Sequence, residues 1–196
     1  MRTGRIPHLL SVALVAGLAG CASAPSRFYT LNATATASEA AHASTSIAIG
    51  PVSVPAAVDR PEFVVQTAPN RVEVDEFNRW AAPLGDSIAR VVAEDTSKLL
   101  GTPRVASAPL ANFEPTFRVT IDVQRFDSIP GEATVLEAVW VVSRTAGGET
   151  NSGRTVAREP VAGPDYDALA AAHSRALAKL SEDVAAAISA SARTKH

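Results

Sequence analysis

A single cysteine, Cys21, stands in 196 residues. An internal disulfide is therefore excluded, and folded stability must come from an apolar core. Histidine is sparse: His8, His42, His173 and His196 are the four. No two have metal-ligand spacing, and no thiol is left to join them. A G-x-S-x-G elbow, an S-x-x-K pair and a P-loop are all missing, so no catalytic residue and no metal ligand is assigned. The acids Glu73, Asp75 and Glu76 cluster after a strand, as solvated loop carboxylates do. There is no basic excess either, with 18 Lys+Arg against 20 Asp+Glu, which argues against a nucleic-acid partner. The one long apolar run, Ile6 to Leu18, is too short to cross a hydrocarbon core of about 30 Å as a helix.

That run is informative in its setting. Arg2 and Arg5 precede it, and Leu18-Ala19-Gly20-Cys21 closes it. A basic start, an apolar stretch and small residues at a cut site describe a secretory signal, and the closing four residues resemble the bacterial lipobox. The thiol of Cys21 is the nucleophile that forms a thioether to a diacylglycerol, and the small residues before it admit a peptidase to the backbone. The expectation is a removed signal at 1–20 and a membrane attachment through diacylglycerol and N-acyl lipid on Cys21, with no other cofactor. Loss of Arg2 and Arg5 leaves 16 basic residues against 20 acidic ones. Ala22, rather than Asp, follows the cysteine and points to the periplasmic face of the outer membrane.

Residues 21–46 read as a lipidated flexible spacer, rich in Ala, Ser and Thr, with a short strand at 28–31. Such a tether would reach at most roughly 80 Å. Residues 47–190 read as one domain, and 191–196 as a tail. Within the domain, Ile47 to Val54 is a strand kinked at Gly50-Pro51. Phe63–Gln66 and Arg71–Val74 form a hairpin about Pro69-Asn70. Leu84, Ile88, Val91, Val92, Asp95, Leu99 and Leu100 lie on one face of a helix over 83–100, with Gly101 placed to cap it. Phe117 to Gln124 alternates with period two, so one face is buried. Ala133 to Ser143 is apolar enough to be covered on both faces, and 149–158 returns as its partner beyond Gly147-Gly148. A last helix spans 165–189, with Leu177 and Leu180 inward and Arg175 and Lys179 outward. The predicted architecture is α+β: an antiparallel or mixed sheet covered on one face by two amphipathic helices.

Arg79 and Trp80 stand before the first helix. Trp80 either seals the core there or forms a recognition corner with Arg79, since Trp and Arg dominate interface hot spots. Arg79 has Asp75 and Glu76 within reach as internal partners.

Several segments together carry a resemblance. They are Phe28-Tyr29-Thr30-Leu31, Gly50-Pro51-Val52 with Asp59-Arg60-Pro61, Asn78-Arg79-Trp80-Ala81 with Pro83-Leu84, and Ala138-Val139-Trp140. In combination they resemble the PqiC-like family of ABC-type transport auxiliary lipoproteins, from Phe28 to about Ser189. Ala82 departs from the pattern, since the family often has an acid there. The resemblance implies a non-catalytic docking subunit that meets an MCE-domain protein in the periplasm and, through it, an ABC transporter moving lipid between membranes. A homo-oligomeric ring is also implied. Loops around Asp59, Arg60 and Pro61 and around Asn78, Arg79 and Trp80 are the expected partner surface. A second reading makes the protein a carrier of a hydrophobic ligand between sheet and helices. A third, a periplasmic hydrolase, is disfavoured by the missing constellation.

Overall fold

The computed structural model describes residues 25–37, 45–107, 112–148 and 150–193. Eight strands and two helices follow in the order β1 (Arg27–Tyr29), β2 (Ile47–Ser53), β3 (Glu62–Ala68), β4 (Arg71–Trp80), α1 (Leu84–Leu100), β5 (Val105–Ala106), β6 (Phe117–Ile129), β7 (Ala133–Arg144), β8 (Asn151–Pro160) and α2 (Tyr166–Arg193). The fold is α+β, but the strands make two sheets rather than the single one expected. One has the order β1-β4-β3 and the other β5-β2-β6-β7-β8.

The five-stranded sheet is mixed. Strand β2 runs parallel to β5 and β6, whereas β6-β7-β8 is an antiparallel meander. The register of β2 against β6 shifts between Ile49 and Val52, where Pro51 has no N–H to give the ladder and Gly50 takes a φ of 120°. The period-two reading of β6 holds: Phe117, Val119, Ile121 and Val123 are buried while Arg118, Asp122 and Gln124 are exposed. Strand β7 was expected to be covered on both faces. Along its central stretch it instead alternates: Leu136, Ala138, Trp140 and Val142 are buried, and Glu137, Val139 and Val141 between them are partly open.

Both helices pack on the buried face. Gly101 closes α1 in the left-handed conformation, its N–H on the Ser97 carbonyl, as predicted for a residue without a Cβ. Asp165 caps α2 by accepting the Ala168 N–H at 2.7 Å. Leu177 and Leu180 are fully buried, Lys179 is exposed and Arg175 is half-exposed, so the register read from the three-and-four spacing is the observed one. Trp140 lies over the small β8 residue Gly153, its cross-strand partner. A Cβ on Gly153 would come 2.3 Å from the Trp140 ring. The indole N–H donates to Thr155 Oγ1 at 3.1 Å, and that hydroxyl donates to Asp183 Oδ2 of α2 at 2.6 Å.

Residues 32–37 were expected to begin a flexible spacer, and here the expectation fails. Leu31 is fully buried and Ala35 nearly so. The backbone amides of Asn32 and Ala35 donate to Ser174 Oγ (3.1 Å) and Asp95 Oδ1 (2.8 Å). Arg90 and Lys98 donate to the carbonyls of Leu31 (2.7 Å) and Ala33 (3.0 Å). Small residues let this strap lie close across α1 and α2. A composition of Ala, Thr and Asn carries no periodicity, so nothing in the segment itself announces its partners. The domain therefore starts at β1, not at residue 47, and α2 carries it on to Arg193.

Candidate functional site

The residues expected to meet a partner lie where the three-stranded sheet joins the body. The hairpin β3–β4 is antiparallel about Pro69-Asn70, and its register shifts after Glu62, which pairs with Arg79 while Phe63 pairs with Asp75. Residues 55–60 form a compact turn in which the Asp59 N–H meets the Pro55 carbonyl at 3.1 Å and the Arg60 N–H meets that of Val58 at 2.8 Å. Pro61 then accepts the Trp80 N–H at 2.7 Å. The two sequence-remote segments are thus brought together: Asp59, Arg60 and Pro61 exposed on the turn, Asn78, Arg79 and Trp80 on the end of β4. The latter three form strand, not loop, because β1 pairs with them in parallel.

Their side chains divide. Trp80 is only 6% exposed. Its ring stacks on Phe63 at 4.0 Å and meets Phe126 and His173 edge-on at 6.1 Å. It seals the core and cannot serve as a recognition corner. Asn78 is also internal: its Oδ1 accepts the Tyr29 hydroxyl at 2.7 Å and its amide donates to Asp75 at 2.8 Å. Arg79 pairs with Glu62 at 2.9 Å, not with Asp75 or Glu76. With side chains 34% and 24% exposed, this pair sits at the surface and contributes about 1 kcal/mol or less.

Asp75 organises the joint. Its Oδ1 accepts the Phe77 and Asn78 amides at 2.9 and 3.0 Å, and its Oδ2 accepts the Tyr166 hydroxyl at 2.7 Å. Burial works against its charge, but the bonds from Tyr166, Asn78 and the two amides outweigh it and hold the carboxyl at about 2. Burial and the same carboxylate push the Tyr166 phenol well above its usual range. The carboxylate and a protonated phenol are locked together, which is structural bonding and not proton transfer. Sequence reading treated Asp75 as a solvated acid. The Asp-x-x-Asn spacing of an Asx turn at 75–78 was its one legible signal; Tyr166 and Glu62 gave none.

Elsewhere, the buried side-chain polar atoms without a hydrogen-bond partner among the described residues are Asp95 Oδ2, Thr96 Oγ1, Thr134 Oγ1 and His173 Nδ1. His173 is fully buried, stacked on Phe126 at 3.8 Å with its Nε2 on Ser128 Oγ at 2.8 Å, and desolvation holds it near 3. Such an imidazole is neutral, as expected of a core histidine. An open groove of about 600 Å³ beside the strap is lined by Asn32, Thr34, Glu159, Arg175, Lys179 and Glu182 among others. Arg175 is paired with Glu159 and Lys179 with Glu182. Among the described residues no group of three or more His, Cys, Asp or Glu is placed to hold a metal ion. Cys21 lies outside the described residues.

The chain matches the family described as "ABC-type transport auxiliary lipoprotein component" over residues 29–185. No curated protein matches it. A crystal structure of a Xanthomonas campestris protein of the DUF330 family superposes with a TM-score of 0.73 at 20% identity, covering 87% of this chain and 100% of that one. A second crystal structure, of an uncharacterized protein, gives 0.70 at 20% identity, with 84% and 99% covered. At this identity the likeness is one of fold.

Proposed function

Since the chain belongs to the family of ABC-type transport auxiliary lipoprotein components, we propose that it is a membrane-anchored, non-catalytic subunit of an MCE/ABC-type intermembrane lipid transport system, docking the MCE assembly at the outer membrane. The observation that carries this is the extent of the match. Residues 29–185 take in strands β2 to β8, the end of β1, all of α1 and α2 as far as residue 185, so the family's role attaches to most of the folded body. Among the described residues no helix is long and apolar enough to cross a membrane; the attachment in this reading is the lipid on Cys21. The contact surface in this proposal is the turn of Asp59, Arg60 and Pro61, with Arg79 at its border; the guanidinium of Arg60 supplies directional bonds that survive partial burial. A ring of copies is part of the same proposal.

The carrier reading needs space between sheet and helices. That space is filled by Phe117, Val119, Leu136 and Trp140 from the sheet and Leu177, Leu180, Val184 and Ile188 from α2, all in one core cluster. The deciding experiment is affinity purification of the full chain from detergent extract, with identification of what accompanies it. Recovery of an MCE-domain protein is the expected result. Stoichiometric phospholipid on a chain that brings no MCE-domain protein would transfer the function to ligand carriage.

A further inference from the structure

Five large apolar side chains stand exposed among the described residues: Phe28, Val72, Val74, Phe77 and Val156. Single exposed apolar residues are ordinary. Four of these five, however, lie on β1 and β4, which are hydrogen-bonded neighbours in the three-stranded sheet. Phe28 pairs in register with Arg79, two residues from Phe77. Beyond the β1 pairing, Val72 and Val74 extend the patch along the hairpin, both aligned with β3 residues, Gln66 and Val64. A patch of this kind marks contact with a protein or with a membrane.

The length of chain before it decides between them. Only six residues lead from Cys21 to Arg27, a reach of at most roughly 20 Å. Strand β1 cannot be paid out to lengthen that tether. Tyr29 is buried against Phe63, with centroids 5.4 Å apart, and the strap that follows is bonded to both helices, through Asp95 of α1 and Ser174 of α2. A body fixed so near its lipid places β1 and its neighbour β4 at the membrane surface. The charges around the patch have both signs, Arg27 and Arg71 with Glu73 and Glu76, all exposed. Attraction to anionic headgroups is therefore weak, and contact is by insertion of apolar side chains into the interface.

We infer that the exposed face of the β1–β4 sheet rests on the lipid surface that carries the protein's own anchor, with Phe28, Phe77, Val72 and Val74 entering the headgroup–acyl boundary. The inference rests on the reading of Cys21 as lipidated. Arg79, in register with Phe28, then lies at headgroup level, and the turn at 59–61 is the part left to a protein partner. The body is held in one orientation on the membrane instead of swinging on a long tether.

The test uses full-length protein, lipidated in cells and reconstituted in phosphatidylethanolamine–phosphatidylglycerol vesicles. Phe77→Cys, Val74→Cys and, as control, Val156→Cys each take a nitroxide label, since lipidated Cys21 cannot. All three positions are exposed, and an unchanged melting temperature verifies each fold. The expected result is a ratio of oxygen to polar-nickel collisions several-fold higher at 77 and 74 than at 156, unaffected by salt. Equal, water-like ratios at all three positions overturn the inference. So does strong dipolar broadening between labels at 77 with polar-nickel access lost and oxygen access low, which would assign the patch to a second copy of the chain. Mass spectrometry of the same sample separates the underlying reading: an unmodified Cys21 overturns the lipoprotein assignment, whereas lipidated Cys21 with water-like labels overturns only the orientation.

Discussion

His173 and Gly153 show how single positions are constrained by what lies opposite them. Folded His173 titrates near 3 because burial disfavours its charge, against about 6.5 when exposed. Between those values the unfolded chain binds a proton that the folded chain refuses. This share of stability is complete above about pH 6.5 and falls as pH drops toward 3, by at most about 1.4 kcal/mol per unit. His173→Gln keeps a polar partner for Ser128 but cannot titrate. Urea unfolding at pH 7, 6 and 5 should show a shallower pH slope in that variant; equal slopes would show that His173 is charged or exposed. At Gly153 the constraint is steric, since an added Cβ meets the Trp140 ring at 2.3 Å. Gly153→Ala should cost about 1–3 kcal/mol through displacement of the indole and its bond to Thr155, read as a lower urea midpoint with unchanged slope.

Among the elements, the strap at 31–37 has one buried carboxyl among its anchors. Asp95 is fully buried, and burial raises its pKa despite the Ala35 amide it accepts. The bond requires an acceptor, not a charge. Asp95→Asn should keep the strap, with stability equal or higher, because its amide oxygen replaces Oδ1 and no charge is buried. Asp95→Ala should free the Ala35 amide and cost about 1–3 kcal/mol. Hydrogen exchange at Ala35 separates the two variants: protection kept in the first and lost in the second. Loss in both would mean that the ionised carboxylate itself is required. The same dependence explains why this element was read as spacer. Its anchors, Asp95 and Ser174, lie 60 and 142 residues away from their strap partners.

For the molecule as a whole, the question is which face meets a partner. Arg79 pairs with Glu62 in a partly exposed ion pair, and Arg60 extends from an exposed turn. Arg60→Ala should leave the melting temperature within about a degree and still weaken recovery of the MCE-domain protein. Arg79→Ala should cost about 1 kcal/mol or less and weaken recovery less than Arg60→Ala, because headgroups share its position. Normal recovery with both variants folded would remove this surface from the docking proposal.

The sequence by itself determined what depends on neighbours along the chain. Periodicity of 3.6 and 2 set α1, α2 and β6, with the correct faces inward, because a helix or strand presents alternate residues to one side whatever it packs against. Gly101 was legible as a cap for the same local reason. Tertiary structure alone decided what depends on residues brought from elsewhere. It divided the strands into two sheets, since β1 pairs with a β4 segment 51 residues later, and no local pattern encodes that pairing. It turned Trp80 inward onto Phe63, tied Arg79 to Glu62 across a register shift, and made Asp75 a bonding centre through Tyr166, 91 residues away. It also fixed residues 31–37: an Ala/Thr segment with no signal of its own becomes ordered only when two helices supply the donors and acceptors it lacks.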